Sequence, residues 1–266
     1  MGGPLAVDPA AVAEASAAWN WVPGDARVVE TEEYLLVRFP DWFHSPLELL
    51  RLTPQRETAV VLDEVLEHSA GLDADRLSVW VKLDAPADLD AVLDERGAEV
   101  EETLDVLAAP LTPATDLDAL RAGAQGLQTR WVDDLVTMRD FETLSAEVFG
   151  GSVPDDARLE RSLHEMREEA DAGTGRLVAY DDGRAASIGG LSVAGPAARM
   201  WGGATAPDLR GRGGYRAVLA ERMRVGREHG CTMALVKGRV DTSAPILRRA
   251  GFEVHGRERL RTLPLR

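Results

Sequence analysis

The chain has 266 residues, 45% of them apolar, and carries 30 basic against 45 acidic side chains for a formal net charge of −15. That length fits two domains or one large one, and that apolar share fits a packed core; no stretch approaches the ~20 apolar residues of a membrane helix. So acidic a balance argues against nucleic acid or an anionic membrane as the main partner, because phosphate backbones need clustered positive charge.

Periodicity and turn residues set out the elements. Asp8–Trp19, opened by Asp8-Pro9, reads as a leading helix. Tyr34–Arg38 and Leu47–Leu52 read as strands, Thr58–Ser69 as a helix with Val61, Val65 and Leu66 on one face, and Leu77–Leu83 as a strand. Asp88–Arg96 is a short helix stopped by Gly97, and Glu99–Leu107 is a strand. Pro110 to Gly126, rich in Ala, Thr, Pro and Gly, is the best linker candidate. Beyond it, Thr129–Val132 is a strand, and Arg139–Phe149 and Asp155–Asp171 are helices. Arg176–Asp181 and Ala185–Val193 form a hairpin through Asp182-Gly183. Arg199–Ala206 is a strand, followed by a glycine-rich loop and a long helix to Glu228. Thr232–Val236 is a strand, Ser243–Arg249 a short helix stopped by Gly251, and Phe252–Thr262 a final strand.

The single cysteine, Cys231, makes an internal disulfide impossible, and Met1-Gly2-Gly3-Pro4 carries no basic region, so a cytoplasmic protein is expected. The charge is uneven. Residues 1–125 hold 25 acidic and 8 basic side chains, while Arg199 to Arg266 hold 15 basic and 6 acidic. The asymmetry suggests separate roles: an acidic half able to meet a basic partner, and a cationic island suited to phosphates. At a constant offset of 154, Leu93, Gly97, Glu99, Val100, Pro110 and Leu111 match Leu247, Gly251, Glu253, Val254, Pro264 and Leu265. Together with the shared order helix, strand, helix, strand, this reads as two copies of one αβ unit.

The segment that carries chemistry is Ala204 to Tyr215, between a strand and a long helix. Its Arg210-Gly211-Arg212-Gly213-Gly214-Tyr215 can turn tightly and direct amides to one point. The helix N-terminus adds about half a positive charge, and Arg210, Arg212 and Arg216 add full ones, which together make an anion site. A Walker loop is excluded because Gly-Lys-Ser/Thr is absent, and the dinucleotide fingerprint because only Gly211-x-Gly213 fits.

Arg210-x-x-Gly213-x-Tyr215 after a fourth strand resembles the Arg/Gln-x-x-Gly-x-Gly/Ala signature of the GNAT (GCN5-related N-acetyltransferase) family. Phe149-Gly150-Gly151 between two helices and Ser243-Ala-Pro-Ile-Leu-Arg-Arg-Ala-Gly-Phe252 match it as well. The resemblance covers about 126–266. It implies an α/β (α+β) chain of two domains, 1–125 and 126–266, each a mixed, mostly antiparallel sheet flanked by helices. The first would be degenerate, with Thr53-Pro-Gln-Arg-Glu-Thr58 where the anion loop should be.

The resemblance further implies an N-acetyltransferase that takes acetyl-CoA as acyl donor and an amine of a small molecule or protein as acceptor. No metal, nucleic acid or membrane partner is implied, and a homodimer stays open. Thr205 and Ala206 would run beside the pantetheine arm, Arg210, Gly211, Arg212, Gly213, Gly214 and Tyr215 would hold the pyrophosphate, and Ser243 would lie across the arm. The catalytic pair is not matched: the family's acid Tyr falls on Leu247, and Arg199 to Thr205 carries no carboxylate for a base. A non-catalytic acyl-CoA-binding or interaction module is therefore the alternative. Tyr215 stands where a small residue is usual and must point away from the phosphates. Trp201 fits core packing or an acceptor pocket. Glu165, Glu168 and Glu169 fit a solvated helix face or an amine-recognition patch. His255 reads as exposed, and the five histidines show no metal spacing.

Overall fold

The computed structural model describes residues 6–43, 45–169 and 173–265. His44, the Asp171 turn and the side chain of Glu169 lie outside them. Two compact units divide the chain, one built on Ala108–Lys237, the other on Asp8–Leu107, Gly238–Arg249 and Glu253–Arg266. This partition falls at 107/108 and differs from a cut between 125 and 126. It also assigns the last helix and last strand to the unit that holds the first half.

That unit opens with helix α1 (Pro9–Ala17), whose N-cap Asp8 side chain accepts from the Ala10 amide. Strands β1 (Arg27–Glu30), β2 (Tyr34–Arg38) and β3 (Leu47–Leu52) run antiparallel. Helix α2 (Thr58–Ser69) then crosses over to β4 (Arg76–Val81), which is parallel to β3. Helix α3 (Leu89–Glu95) and strand β5 (Glu99–Pro110) follow. The sheet alternates its residues between two faces. Tyr34, Leu36, Leu47 and Leu49 pack with Val61, Leu62 and Val65 of α2 and with Leu89 and Leu93 of α3. Leu35, Val37, Phe39 and Leu50 face the other way, toward Phe43 and Trp80. There Trp21, Phe39, Trp42 and Phe43 form a ring cluster, with centroids 4.4 Å apart for Phe39 and Phe43.

The second unit begins with the short helix α4 (Leu117–Arg121) inside the expected linker. Strand β6 (Gln128–Trp131) leads to α5 (Leu135–Phe149), which starts four residues before the apolar pattern predicts. The cause is a capping box in which the Asp134 side chain accepts from the Thr137 amide at 2.7 Å. Helix α6 (Asp156–Glu169) and strands β7 (Gly175–Asp181), β8 (Arg184–Ala194) and β9 (Ala197–Thr205) follow. After α7 (Gly214–Glu228) comes β10 (Met233–Arg239), parallel to β9. The strands β6 to β9 are antiparallel neighbours in sequence order. Val178, Tyr180 and Ile188 meet Met138, Phe141 and Leu144 of α5 and Leu159 and Leu163 of α6. Leu177 and Ala179 meet Ala217 and Val218 of α7 on the opposite face. The layers are thus helix, sheet, helix, a mixed α/β arrangement.

The chain closes with α8 (Ser243–Arg249) and β11 (Glu253–Pro264). Both elements repeat α3 and β5 with every boundary displaced by 154, and Gly97 and Gly251 share a left-handed φ of +74° and +91°. Strand β11 pairs antiparallel with β4, Arg259 opposite Val81 through Pro264 opposite Arg76. The last strand of the chain therefore completes the sheet of its first half. Sequence patterning missed β1 and α4, both too short for a periodic signal.

Candidate functional site

Strands β9 and β10 are hydrogen-bonded neighbours only from Ala197–Met233 to Met200–Val236. From Trp201 onward β9 has no partner in the β10 register, so the parallel pair opens there. The same stretch of β9 carries a bulge: Ala204 faces Ile188 of β8 and Trp201 faces Gly190, leaving Gly202 and Gly203 against Gly189 alone. Gly202, at φ +59°, takes the conformation that a side chain would oppose. At its far end Thr205 shares a hydroxyl hydrogen bond with Ser187 at 2.7 Å, and the Ala206 amide donates to Ala186 O at 2.9 Å.

The loop after Ala206 makes one 3₁₀ turn, Pro207–Leu209, and reaches α7 through Gly211 and Gly213, at φ +81° and +88°. Gly213 is the N-cap of α7 and offers no side chain to its amides, so no capping side chain meets the first-turn N–H groups at the positive end of the helix dipole. A Cβ at Gly213 would meet Gly123 O at 2.4 Å and Ala124 Cα at 2.9 Å, and one at Gly214 would meet Ser187 Oγ at 2.4 Å. Each glycine is therefore set by a close neighbour.

The arginines divide. Arg210 is exposed and makes no hydrogen bond or ion pair among the described residues. Arg212 pairs with Asp181 at 3.1 Å. Arg216 is turned away from the loop and donates to the carbonyls of Leu120 (3.0 Å) and Ala119 (3.3 Å), so the expectation of a third free charge is corrected. Tyr215 points into the sheet: its ring lies under Gly203, where a Cβ would meet Cε2 at 2.8 Å. Burial pushes its hydroxyl pKa up, against the opposing pull of Arg222.

Ser243 opens α8 and belongs to the other compact unit. Leu247, at the expected acid position, is fully buried. Trp201 donates to Ser192 Oγ at 3.0 Å and packs edge-on against Phe141. Beside it Arg176 pairs with Glu142 at 2.6 Å. Glu165 and Glu168 are exposed, and Glu168 lies 3.6 Å from His164. His255 is half-buried, not exposed as expected.

In the first half the loop between β3 and α2 already holds an anion. Glu33 Oε1 accepts from the amides of Gln55 (2.7 Å) and Arg56 (3.1 Å), and Oε2 accepts from Arg56 Nε (2.8 Å). Strands β3 and β4 also part after Leu49 and Val79. The slot beyond them is lined by Ala17, Arg51, Leu52, Trp80 and Lys82. Lys82 lines it with an ammonium already engaged, donating to Ala17 O (3.1 Å), Trp19 O (3.3 Å) and Asn20 Oδ1 (2.5 Å). In the sequence the β3–α2 loop shows no glycine and an acidic Glu57 near the helix start; the carboxylate that occupies it is Glu33. The Arg56 guanidinium and the two amides lower the Glu33 pKa from 4.5 to about 2. A depressed carboxylate stabilises the fold above its unfolded pKa and loses that contribution as pH falls through the folded one. The stability gap between wild type and Glu33→Gln is thus expected to be constant above pH ~5 and to close between about 4.5 and about 2. Urea melts across that range check it; a gap that widens on acidification contradicts the geometry.

The cationic island is also corrected. Arg239 pairs with Glu102, Arg248 and Arg257 with Asp105, and Arg259 and Arg261 with Asp90, all within one unit. These charges neutralise acidic residues of the first half: Glu102 and Asp105 lie on β5, which is β11's other neighbour in the sheet, and Asp90 lies on α3.

No known protein-family profile matches the chain, and no curated protein does. Solved structures match over nearly its whole length. A GCN5-related N-acetyltransferase from Kribbella flavida superposes with a TM-score of 0.65 at 16% identity, covering 98% of this chain and 96% of its own. A GCN5-related N-acetyltransferase from Sphaerobacter thermophilus gives 0.65 at 17%, covering 88% and 81%. A tandem GNAT protein from the clavulanic acid biosynthesis pathway gives 0.64 at 16%, covering 99% and 90%. The chain has the fold of these proteins. No helix among the described residues is long and apolar enough to cross a membrane.

Proposed function

We propose that the chain is an acetyl-CoA-dependent N-acetyltransferase of tandem GNAT type. Its one acyl-CoA site is in the second half, and the first half is a degenerate copy. The observation that carries this reading is the uncapped start of α7 behind Gly211 and Gly213, at the end of a strand that its parallel neighbour has left. Amides at the start of a helix suit a pyrophosphate, with Arg210 free to add its charge, and the open edge of β9 toward Thr205 and Ala206 suits an extended pantetheine arm. The acceptor amine attacks the thioester carbonyl. The C–N bond forms, the C–S bond breaks, and the proton lost by the amine ends on the released thiol. With a thiol pKa near 8.5 the thiolate leaves without a dedicated acid. The first half takes no second acyl-CoA, because Glu33 fills its loop and the Lys82 ammonium in its slot is already engaged. The lone buried Cys231 and an acyl-CoA substrate suit the cytoplasm.

Calorimetric titration with acetyl-CoA is expected to give one site per chain in the micromolar range, lost in Arg210→Ala/Gly213→Asp. No binding, or binding indifferent to that pair, ends this reading. A non-catalytic acyl-CoA-binding or interaction module is the second reading, favoured by the buried Leu247 and a β9 without carboxylates. Steady release of CoA with any member of an amine panel excludes it. Binding without release from any member favours it.

A further inference from the structure

Arg176 of β7, Gly190 of β8 and Trp201 of β9 stand in one row across the sheet, since Arg176 faces Gly190 and Gly190 faces Trp201. Directly opposed residues share a face. Here it is the face of α5, because Trp201 packs on Phe141 and Arg176 pairs with Glu142. Gly190 leaves the middle of the row empty. A Cβ there would collide with the indole of Trp201, so the ring lies across the glycine toward β7. The Arg176 guanidinium comes from the other side, with Cζ 6.0 Å from the Trp201 ring centroid and 5.3 Å from that of Phe141. Two aromatic rings at that range hold a cation.

One edge of this guanidinium is unused. Nη1 donates to Glu142 Oε1 at 2.6 Å and lies 3.1 Å from Met138 Sδ. Nε and Nη2 make no hydrogen bond among the described residues, and neither is sealed from solvent. The side chains of Arg176 and Glu142 keep 23% and 21% of their surface exposed. Burial pulls the Arg176 pKa down while Glu142 pulls it up, so the cation is short of compensating charge. Nε and Nη2 together form the planar fork that takes a carboxylate by two parallel hydrogen bonds. Glu142 beside it disfavours a doubly charged phosphate, whereas a flat monoanion fits next to the two rings.

The row lies where β9 loses β10. The parallel pair ends at Met200 and Val236, so an acyl-CoA arm running back along the open edge of β9 from Ala206 stops beside Trp201, about 16 Å on at ~3.3 Å per residue. The α7 face of the sheet is shut at this point. Arg222 is 1% exposed and donates to Gly190 O and Trp201 O, and the Tyr215 ring lies under Gly203. The partly open face is the one with Trp201 and Arg176. From β7 to β9 is two strand spacings, ~10 Å at the backbone, and both side chains reach inward over Gly190. A molecule lying along this row would place a carboxylate and an amine a few bonds apart.

We propose that Arg176 determines acceptor specificity: its Nε and Nη2 edge binds a carboxylate, so the amine presented to the thioester beside Trp201 belongs to an amino acid. The proposal rests on the acyl-CoA reading above and names the acceptor class of that site. The amine nitrogen attacks the thioester carbonyl, the C–N bond forms as the C–S bond breaks, and the proton lost by the amine ends on the CoA thiol. The carboxylate stays on Arg176 throughout, so its binding acts on KM more than on kcat.

The test is CoA release from acetyl-CoA with α-, β- and γ-amino acids, each paired with its carboxamide, in wild type, Arg176→Lys and Arg176→Gln/Glu142→Gln. In wild type the best acid is expected to exceed its carboxamide about 10–100-fold in kcat/KM, the range of a charge-assisted hydrogen bond. Arg176→Lys keeps a charge beside Glu142 but loses the fork, so KM for the acid rises about tenfold and kcat moves less. The double variant removes both charges together and strands neither, and the acid-to-carboxamide ratio falls to within about threefold of unity. The dissociation constant for acetyl-CoA stays within about threefold in both variants, because the pyrophosphate loop is untouched. A merely structural role lowers acid and carboxamide together and keeps their ratio; that result overturns the proposal. So does a wild type that uses the carboxamide as well as the acid, or that releases CoA only with amines lacking a carboxylate. If one variant does not fold, the ratio in the other decides. If no amine releases CoA, saturation-transfer NMR of the same pairs on the CoA-loaded protein decides: contact with the acid over the carboxamide, reduced in the variants, supports the proposal, and equal or absent contact overturns it. Failure of wild type to bind acetyl-CoA ends the acyl-CoA reading itself, a different result from binding without preference for a carboxylate.

Discussion

Gly213→Ala is expected to destabilise the protein by about 2–5 kcal/mol and to raise the dissociation constant for acetyl-CoA more than about 100-fold. The first figure combines a left-handed φ of +88° for a residue with a Cβ, ~1–2 kcal/mol, with overpacking against Gly123 O and Ala124 Cα, ~1–3 kcal/mol. Backbone cannot swing aside as a side-chain tip can, so the loop or the 123–124 segment must move. The second figure rests on the acyl-CoA reading. An amide bonded to a charged group contributes ~1.5–3 kcal/mol, and misdirecting two of them already exceeds two decades in affinity. Gly211→Ala is the control. Its φ of +81° is as unfavourable, but a Cβ there meets nothing within 4 Å, so it should cost only ~1–2 kcal/mol and weaken binding less. Equal losses in the two variants, by urea melts and by calorimetry, would show that the 123–124 contact does not set the loop.

That contact also marks the limit of what the sequence reveals. The loop itself is legible: glycines between a strand and a long helix have few other uses, and arginines around them suggest an anion. The repeat is legible too, since six identities at one offset predict α8 and β11 from α3 and β5 to the residue. What buttresses the loop is not, because Gly123 and Ala124 are about ninety residues away in a segment whose composition says only linker. Glu33 is hidden for the same reason. Its carboxylate reaches the loop at Gln55 and Arg56 only because the β2–β3 pairing brings the two stretches together, and a carboxylate beside a turn has no periodic signature. Arg222 left a trace: an arginine one helical turn after Val218 falls on the apolar face of α7, and there it is 1% exposed and donates to Gly190 O and Trp201 O. Gly189, where a Cβ would meet its Cζ at 2.8 Å, is the matching trace on β8, and neither names the other as its partner.

Charge was the most misleading signal, and it leads to the second large effect. Arg248→Ala/Arg257→Ala is expected to cost about 3–5 kcal/mol, well above the sum of the single variants. Asp105, on β5, is 0% exposed and receives Arg248 from α8 and Arg257 from β11, the latter at 3.0 Å. Either arginine alone still neutralises it. Removing both leaves an ionised carboxylate in the core with no partner, the circumstance in which a buried pair matters most. The arginines are themselves half exposed, at 49% and 60%, so their loss costs little directly, and water would rehydrate them if the acid were removed instead. Asp105→Asn in the double-variant background should therefore recover part of the loss, because a neutral amide replaces the stranded charge. Urea denaturation of wild type, the two single variants, the double variant and its Asp105→Asn derivative completes the comparison. Additive single effects below ~1 kcal/mol, with no recovery by Asn, would mean that these are ordinary surface pairs. The expected coupling instead makes the basic C-terminal strand the counterion of the acidic first half, which is why neither charge run predicted a ligand.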